Sequence, residues 1–341
     1  MRRSVVTSVS EMSENFVEQL NHAIEALKAK PEVLPRAGAE IESLVRLAAE
    51  LHNLPRAEFR MRLKDNLMQA AIQTRQETQQ QTLFRKGFHT VTPYLAVQDV
   101  MGLIEFVKKA FNAEGNIFGT GSEGGLHSEF QIGDSMVMIG GGGNWKGKPK
   151  LAGLHYFVDD VDAVYQRALE AGATSQTAPL EDHGERVASI VDVAGNEWYI
   201  AKRLSGSHTD EGLRSVNVCF HPRGAAEMVD FLKRAFAAEE IAVYRLTPGG
   251  PLAHAKIRIG DSVVEMGEAH GPWQPKDTML HLYVDDVDAW YERAVAGGAT
   301  SASEPADAPY GDRVASVTDP FGNLWYLATP IKTAALDEPA G

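Results

Sequence analysis

The chain has 341 residues, 44% of them hydrophobic and 23% charged, with a net charge of −13. That length can build two or three ordinary cores, and that composition excludes a disordered chain. Residues 1–88 carry 13 Lys and Arg against 11 Asp and Glu, so the acidic excess lies beyond them, and an acidic body that repels phosphate backbones excludes nucleic acid as a partner.

Residues 1–88 read as an all-helical N-terminal region. Its first residues, MRRSVVTSVSEMSENF, lack the apolar run of a secretory signal. From Ser10, Phe16, Leu20, Ile24 and Leu27 recur at helical spacing, and the segment stops before Pro31. A second helix is expected over 39–52, with Ile41, Leu44, Val45 and Ala48 on one side. Pro55 suits the first turn of a third. The Gln- and Thr-rich residues 73–82 read as a solvated stalk or linker.

After Phe88 the chain says the same thing twice. HYFVDDVDAVYQRALEAGATS (155–175) returns as HLYVDDVDAWYERAVAGGATS (281–301). HSEFQIGDS (127–135) returns as HAKIRIGDS (254–262), and VDVAGNEWYIA (191–201) as TDPFGNLWYLA (318–328). The offset stays near 126, far beyond a solenoid period, so a whole domain is duplicated. Domains are expected at 89–205 and 214–331, with a tail at 332–341.

Each repeat divides again. A strand over 90–97 leads into a helix capped by Asp99, with Leu103, Phe106, Val107, Ala110 and Phe111 as its apolar stripe. Strands at HSEFQI and SMVMI follow. Then LHYFV leads into a helix capped by Asp160 and stopped by Gly172. ERVASIV and EWYIA close the unit around a turn at 192–196. The pattern predicts an α+β fold with mixed sheets.

TPYL at Thr92, IGDS at Ile132 and Ile259, VDDVDA at Val158 and Val284, GDR at Gly311 and DPFGNLWYLAT at Asp319 carry a resemblance. The chain resembles the vicinal oxygen chelate superfamily of glyoxalase I, bleomycin-resistance proteins and extradiol dioxygenases, and within it the PhnB-like branch. The resemblance implies two tandem glyoxalase-like domains, each of paired βαβββ modules curled around a cavity. Many members hold one divalent metal through His, Gln and Glu early in a module's first strand and near the end of its last. Those positions are here Thr92, Gly153 and Tyr199 in the first repeat, and Asn217, Met279 and Tyr326 in the second. Glu265 stands where glyoxalase I uses a Glu, and Met138 stands there in the first repeat. No metal or other cofactor is expected from this set, with Glu265 as its weak candidate.

Strand alternation sorts the cavity faces. Phe130, Ile132, Leu154, Tyr156, Trp198 and Ile200 go to the core. The candidate acid–base residues are His127, His155, His254 and His281, grouped by repeat as His127 with His155 and His254 with His281. The candidate ligand contacts are Thr92, Tyr94, Glu129, Phe157, Tyr199, Asn217, Lys256, Arg258, Glu265, Tyr283 and Tyr326. Inheritance through duplication alone explains the recurrence of these histidines as structural hydrogen-bonding groups, and that reading is the favoured one. Arg186 and Arg313 are read as turn braces, Gly140 to Gly143 as a flexible loop over a pocket. The lone Cys219 forms no intrachain disulfide, and no apolar run is long enough to span a membrane, so a cytoplasmic location is expected.

Three functions follow. The first is a metal-free module holding a planar or aromatic small molecule for sequestration, carriage or resistance. The second is a glyoxalase-like lyase or isomerase using the cavity histidines, metal-assisted through Glu265 in one version. The third is an interaction protein assembled, as a homodimer for instance, through its helical N-terminus.

Overall fold

An apolar residue every three or four positions buries one stripe of a helix. The first helix, α1 (Val9–Ala29), does this with Leu20, Ala23 and Leu27, while Glu18, His22 and Glu25 stay exposed. This computed structural model describes residues 9–29, 42, 45, 87–120 and 124–331. Glu42 and Val45 are helical and Val45 is buried. The remainder of the expected second helix, the third helix, the stalk and the C-terminal tail lie outside the described residues. Residues 1–79 form one compact unit and residues 80–341 another.

The second unit is four βαβββ modules. The first comprises β1 (Val91–Val97), α2 (Val100–Phe111), β2 (Glu114–Thr120), β3 (Leu126–Ile132) and β4 (Ser135–Gly141). The second comprises β5 (Gly153–Phe157), α3 (Val161–Glu170), β6 (Thr174–Asp182), β7 (Glu185–Val191) and β8 (Glu197–Arg203). The third comprises β9 (Val216–Phe220), α4 (Ala225–Phe236), β10 (Glu239–Arg245), β11 (Leu252–Ile259) and β12 (Ser262–Met266). The fourth comprises β13 (Met279–Tyr283), α5 (Val287–Ala296), β14 (Thr300–Asp307), β15 (Asp312–Thr318) and β16 (Leu324–Pro330). Asp99, Asp160 and Asp286 cap α2, α3 and α5 by accepting a backbone N–H at 2.9 to 3.1 Å.

The strands make two eight-stranded sheets, ordered β14-β15-β16-β13-β1-β4-β3-β2 and β10-β11-β12-β9-β5-β8-β7-β6. The first sheet therefore joins modules one and four, and the second joins modules two and three. The seams are antiparallel: β1 lies along β13 with Thr92 opposite His281, and β5 along β9 with His155 opposite Asn217. Helix packing follows the repeats instead. Helix α2 packs on α3 and α4 on α5, and Arg167 and Arg293 each donate Nε to a carbonyl in the last turn of the partner helix, at Ala110 and Ala235. Each repeat is thus one helix-packed unit, while each sheet crosses the repeat boundary.

The recurrent IGDS turns tie the repeats together across that boundary. Asp134 accepts the Ser215 N–H at 2.7 Å, and Ser135 Oγ accepts the Val216 N–H at 3.0 Å. Asp261 accepts the Thr90 N–H at 2.7 Å, and Ser262 Oγ accepts the Val91 N–H at 2.9 Å. Each turn thereby satisfies the backbone donors that open the first strand of the other repeat. Burial alone would raise Asp261, but bonds from His89 and Thr90 outweigh it and hold its pKa down at about 2. A carboxylate lowered in the fold stabilises above its ordinary range, near pH 4, and that contribution goes as pH falls through about 2. Asp261→Ala should cost about 2–3 kcal/mol in urea unfolding, and exposed Asp277→Ala almost nothing. Equal midpoints for the two variants would deny the turn this role.

The D-x-x-G-N-x-W turns are equally structural. Asp192 accepts the N–H groups of Ala194 and Asn196, the Asn196 Nδ2 and the Trp198 Nε1, all at 2.9 Å. Asn196 Oδ1 accepts the Ala152 N–H at 3.1 Å. Asp319, Asn323 and Trp325 repeat this network, with Thr278 donating to Asn323. Gly195 and Gly322 turn at φ of 101° and 92°, which a side chain would strain. Both tryptophans are fully buried. Arg186 grips Asp162 at the start of α3 with two bonds of 3.0 and 2.7 Å, and Arg313 does the same to Asp288.

Gly140 and Gly141 correct an expectation. They end β4 and are buried rather than forming a loop over a pocket. A Cβ on Gly140 would lie 2.5 Å from the Tyr94 hydroxyl, and one on Gly141 would lie 2.3 Å from the Val97 carbonyl. Gly140 and Gly141 are glycine because neighbours press on them.

Candidate functional site

Strand alternation puts one residue in two on the face away from the helices. On the second sheet this face carries His155 and Phe157 from β5, Tyr199 and Arg203 from β8, Asn217 and Cys219 from β9, His254 and Lys256 from β11, and Glu265 from β12. Register sets Glu265 beside Cys219 and Lys256, and His155 beside Tyr199 and Asn217.

Glu265 is the centre of the site. It is 2% exposed, and both its oxygens meet imidazoles. His155 Nδ1 lies 2.6 Å from one, His254 Nε2 3.4 Å from the other. Burial would push the Glu265 carboxyl up, but the charge and hydrogen bond of His155, with His254 behind it, hold it far below the usual carboxylate range. Burial pulls His155 down, and Glu265 overcomes this and raises it above an ordinary imidazole. Each partner therefore stabilises the charged form of the other. His155 Nε2 is buried without a hydrogen-bond partner, 3.8 Å from Glu185 Oε2.

Charge continues along the face. Arg203 donates to both oxygens of Glu211 at 3.0 and 2.7 Å, and Lys256 donates to the same carboxylate. The Phe157 ring packs tilted against His155 at 4.3 Å and stacks on His208 at 4.7 Å. Toward the start of β5, the Tyr199 hydroxyl donates to Glu197 at 2.9 Å, and Lys276 pairs with Glu197 at 2.9 Å. Burial holds His221 neutral, with a pKa of about 4, between Tyr199 and Trp273. The space bounded there by Gly153, Cys219, His221, Lys276 and Thr278 is about 20 Å³, room for one water.

The first sheet's face is aromatic and sulfur-rich. Phe88, Met138 and Tyr283 pack together beside Tyr94 and Met136. Tyr94 Oη lies 3.1 Å from His127 Nδ1, and His127 Nε2 lies 3.3 Å from Glu129. His281 packs tilted against Tyr283 at 4.4 Å and lies beside Tyr326 in register.

The grouping of histidines by repeat is corrected by the seams. Since β5 pairs with β9 and β1 with β13, His155 shares a face with His254, and His127 with His281. Among the ligand candidates, Phe157, Lys256 and Glu265 come together around His155, whereas Tyr94, Glu129, Tyr283 and Tyr326 lie on the other sheet. The Asn217 amide is bound to the backbone of Arg214 at 2.8 and 2.7 Å, a turn brace. Thr92 donates to the His89 carbonyl, and Arg258 sits near the sheet edge, 3.9 Å from Glu239. Arg203, Glu185, Glu211 and His208 were not singled out from the sequence. The parity of β8 points to Arg203, but Glu211 and His208 belong to a linker with no period to read.

The positions of the family's metal ligands also regroup. Gly153, Tyr199, Asn217 and Glu265 fall on the second sheet, and Thr92, Met138, Met279 and Tyr326 on the first. The first set offers one carboxylate, already bound by two imidazoles, and the second offers neither carboxylate nor imidazole. Among the described residues no group of three His, Cys, Asp or Glu side chains is placed to hold a metal ion.

The profile of the Glyoxalase/Bleomycin resistance protein/Dioxygenase superfamily matches residues 222–327. The uncharacterized protein Mb0911c of Mycobacterium bovis is 38% identical over 126 residues, which cover 33% of this chain and 82% of that protein. The chain belongs to this superfamily. The putative glyoxylase CFP32 of Mycobacterium bovis is 28% identical over 194 residues, covering 54% of this chain and 72% of the relative. The superfamily fold also appears in the solved glyoxalase I of Zea mays, with a TM-score of 0.55 at 14% identity over 70% of this chain and 92% of that one. Among the described residues no helix is long and apolar enough to cross a membrane.

Proposed function

We propose that the second sheet of this superfamily member binds a small organic molecule directly, with no resident divalent metal. The observation that carries this is Glu265, buried and held by His155 and His254 where a metal ligand would otherwise stand free. Phe157 supplies a flat apolar wall beside His155, which suits a planar ligand. The His155–Glu265 pair offers that ligand a fixed proton donor on a rigid strand.

One feature favours a second reading, a lyase or isomerase. Glu265 fixes His155 through Nδ1 and leaves Nε2 buried with no hydrogen-bond partner, the orientation of a general acid or base. Native mass spectrometry and elemental analysis of one purified sample test the binding. A retained organic mass without stoichiometric metal is expected, and a stoichiometric divalent metal would sink the proposal. His155→Ala should weaken binding of the retained molecule at least tenfold, about 1.4 kcal/mol. If that molecule is turned over at an unchanged rate by His155→Ala, the acid–base reading fails and binding alone stands.

A further inference from the structure

The linker between modules two and three, residues 204–215, lies over the second sheet's face. Its single 3-10 turn (His208–Glu211) is opened by Ser207, which accepts the Thr209 N–H, while Asp210 returns a bond to the Ser207 N–H. The turn sets His208 flat on Phe157, the two rings 2° from parallel. Leu213 is buried with Phe157, Ala201 and Val263. Glu211 then reaches Arg203 on β8 and Lys256 on β11. These two cations are 19% and 12% exposed, and the carboxylate above them is 35% exposed.

An arginine fork and a lysine converging on one carboxylate make the geometry that recognises carboxylate and phosphate groups. Around them, Glu185 lies 3.7 Å from Arg203 Nε, and Glu265 is engaged by the histidines. The cluster is also peculiar to one sheet. Networks that the fold itself needs, the IGDS clamps and the D-x-x-G-N-x-W turns, recur in both repeats. Arg203 and Lys256 do not: Pro330 and Glu129 stand at their equivalents.

We infer that Glu211 occupies an anion site, and that the ligand of the second sheet carries a carboxylate or phosphate group that displaces Glu211 from Arg203 and Lys256. The ligand's planar part then takes the place of His208 against Phe157. The 204–215 linker is thereby a built-in competitor that leaves when an anion arrives. This rests on the reading of the second sheet as a binding face.

The test uses the full chain and three probes of one shape: benzoate, phenyl phosphate and neutral benzamide. Glu211→Gln should bind benzoate or phenyl phosphate at least tenfold tighter than the unaltered protein by calorimetry, with benzamide unchanged. Which of the two anions gains more identifies the headgroup. Should the variant fail to fold, hydrogen exchange on the unaltered protein decides. Benzoate or phenyl phosphate should speed exchange across 204–215 and slow it across 252–259, and benzamide should do neither. Anions bound no tighter than benzamide by Glu211→Gln, or exchange in the linker indifferent to anions, overturn the inference. If that happens while His155→Ala still weakens the retained molecule, the anion site fails and the binding face stands. If no probe or retained molecule registers on this face, both fail.

Discussion

Replacing Glu265 by Gln should lower the free energy of unfolding by about 3–5 kcal/mol, the cost of breaking one side of a buried ion pair. Gln keeps the shape and removes the charge, so His155 loses the partner that holds it protonated. With burial and Lys256 then opposed by Glu185 alone, the imidazole pKa should fall from its value in the unaltered protein, which NMR titration of its ring protons would show. The pH dependence has two limbs. His155 is raised in the fold, so its contribution is complete below its ordinary 6.5 and is lost as pH climbs through the raised value. Glu265 is lowered, so its contribution is complete above 4.5 and disappears as pH drops through the lowered value. The unaltered protein should therefore draw most from this pair between about pH 4.5 and 6.5, and the variant should lack both limbs. Equal stability of the two proteins at pH 6, within about 0.5 kcal/mol, would show that the pair contributes nothing net.

The second large effect is expected at Asp192. All four of its hydrogen-bonding partners are donors, so only an acceptor-only side chain satisfies them. Asn keeps the size but turns an NH₂ group toward the donors of Asn196 and Trp198. Asp192→Asn should cost about 3 kcal/mol for two buried donors left facing a third. Asp319→Asn should cost the same, because its turn is a copy. Burial raises both carboxyls, and the bonds they accept only partly offset it, so acidification from about pH 4 toward pH 2 should weaken the Asp261 clamp and spare these turns. Guanidinium unfolding monitored by tryptophan fluorescence reads both variants. A midpoint unmoved in either one would mean that water, not the turn, satisfies the indole.

How legible all this was follows the physics of each element. The helices, their Asp caps and the core strands announce themselves because burial imposes a period and capping demands a particular side chain. The duplication made the fold legible twice. Four edge strands, β2, β6, β10 and β14, are largely exposed, so no apolar alternation marks them in EGNIFGT or TSASEPAD. At the site, alternation put His155, Phe157, Lys256 and Glu265 on the face away from the helices, which they share in the structure. It could not say which strands adjoin, since period-two patterning is blind to partner choice, and so it grouped the histidines by repeat. Glu211 was invisible because its role comes from where a linker happens to pass.

The exchange of modules between the sheets has a consequence for how the two faces could change. A single repeat on its own has two half-sheets and would need a second copy of itself to complete either one. In such a pair both finished faces are built from the same residues, and every substitution appears on both. Joining the copies through 204–215 ends that constraint. A glutamate can stand at 265 while methionine stands at 138, and an arginine at 203 while proline stands at 330. The linker that permits this divergence also lies across one face and leaves its own side chains there, so the peptide that made the two faces independent has become part of one of them.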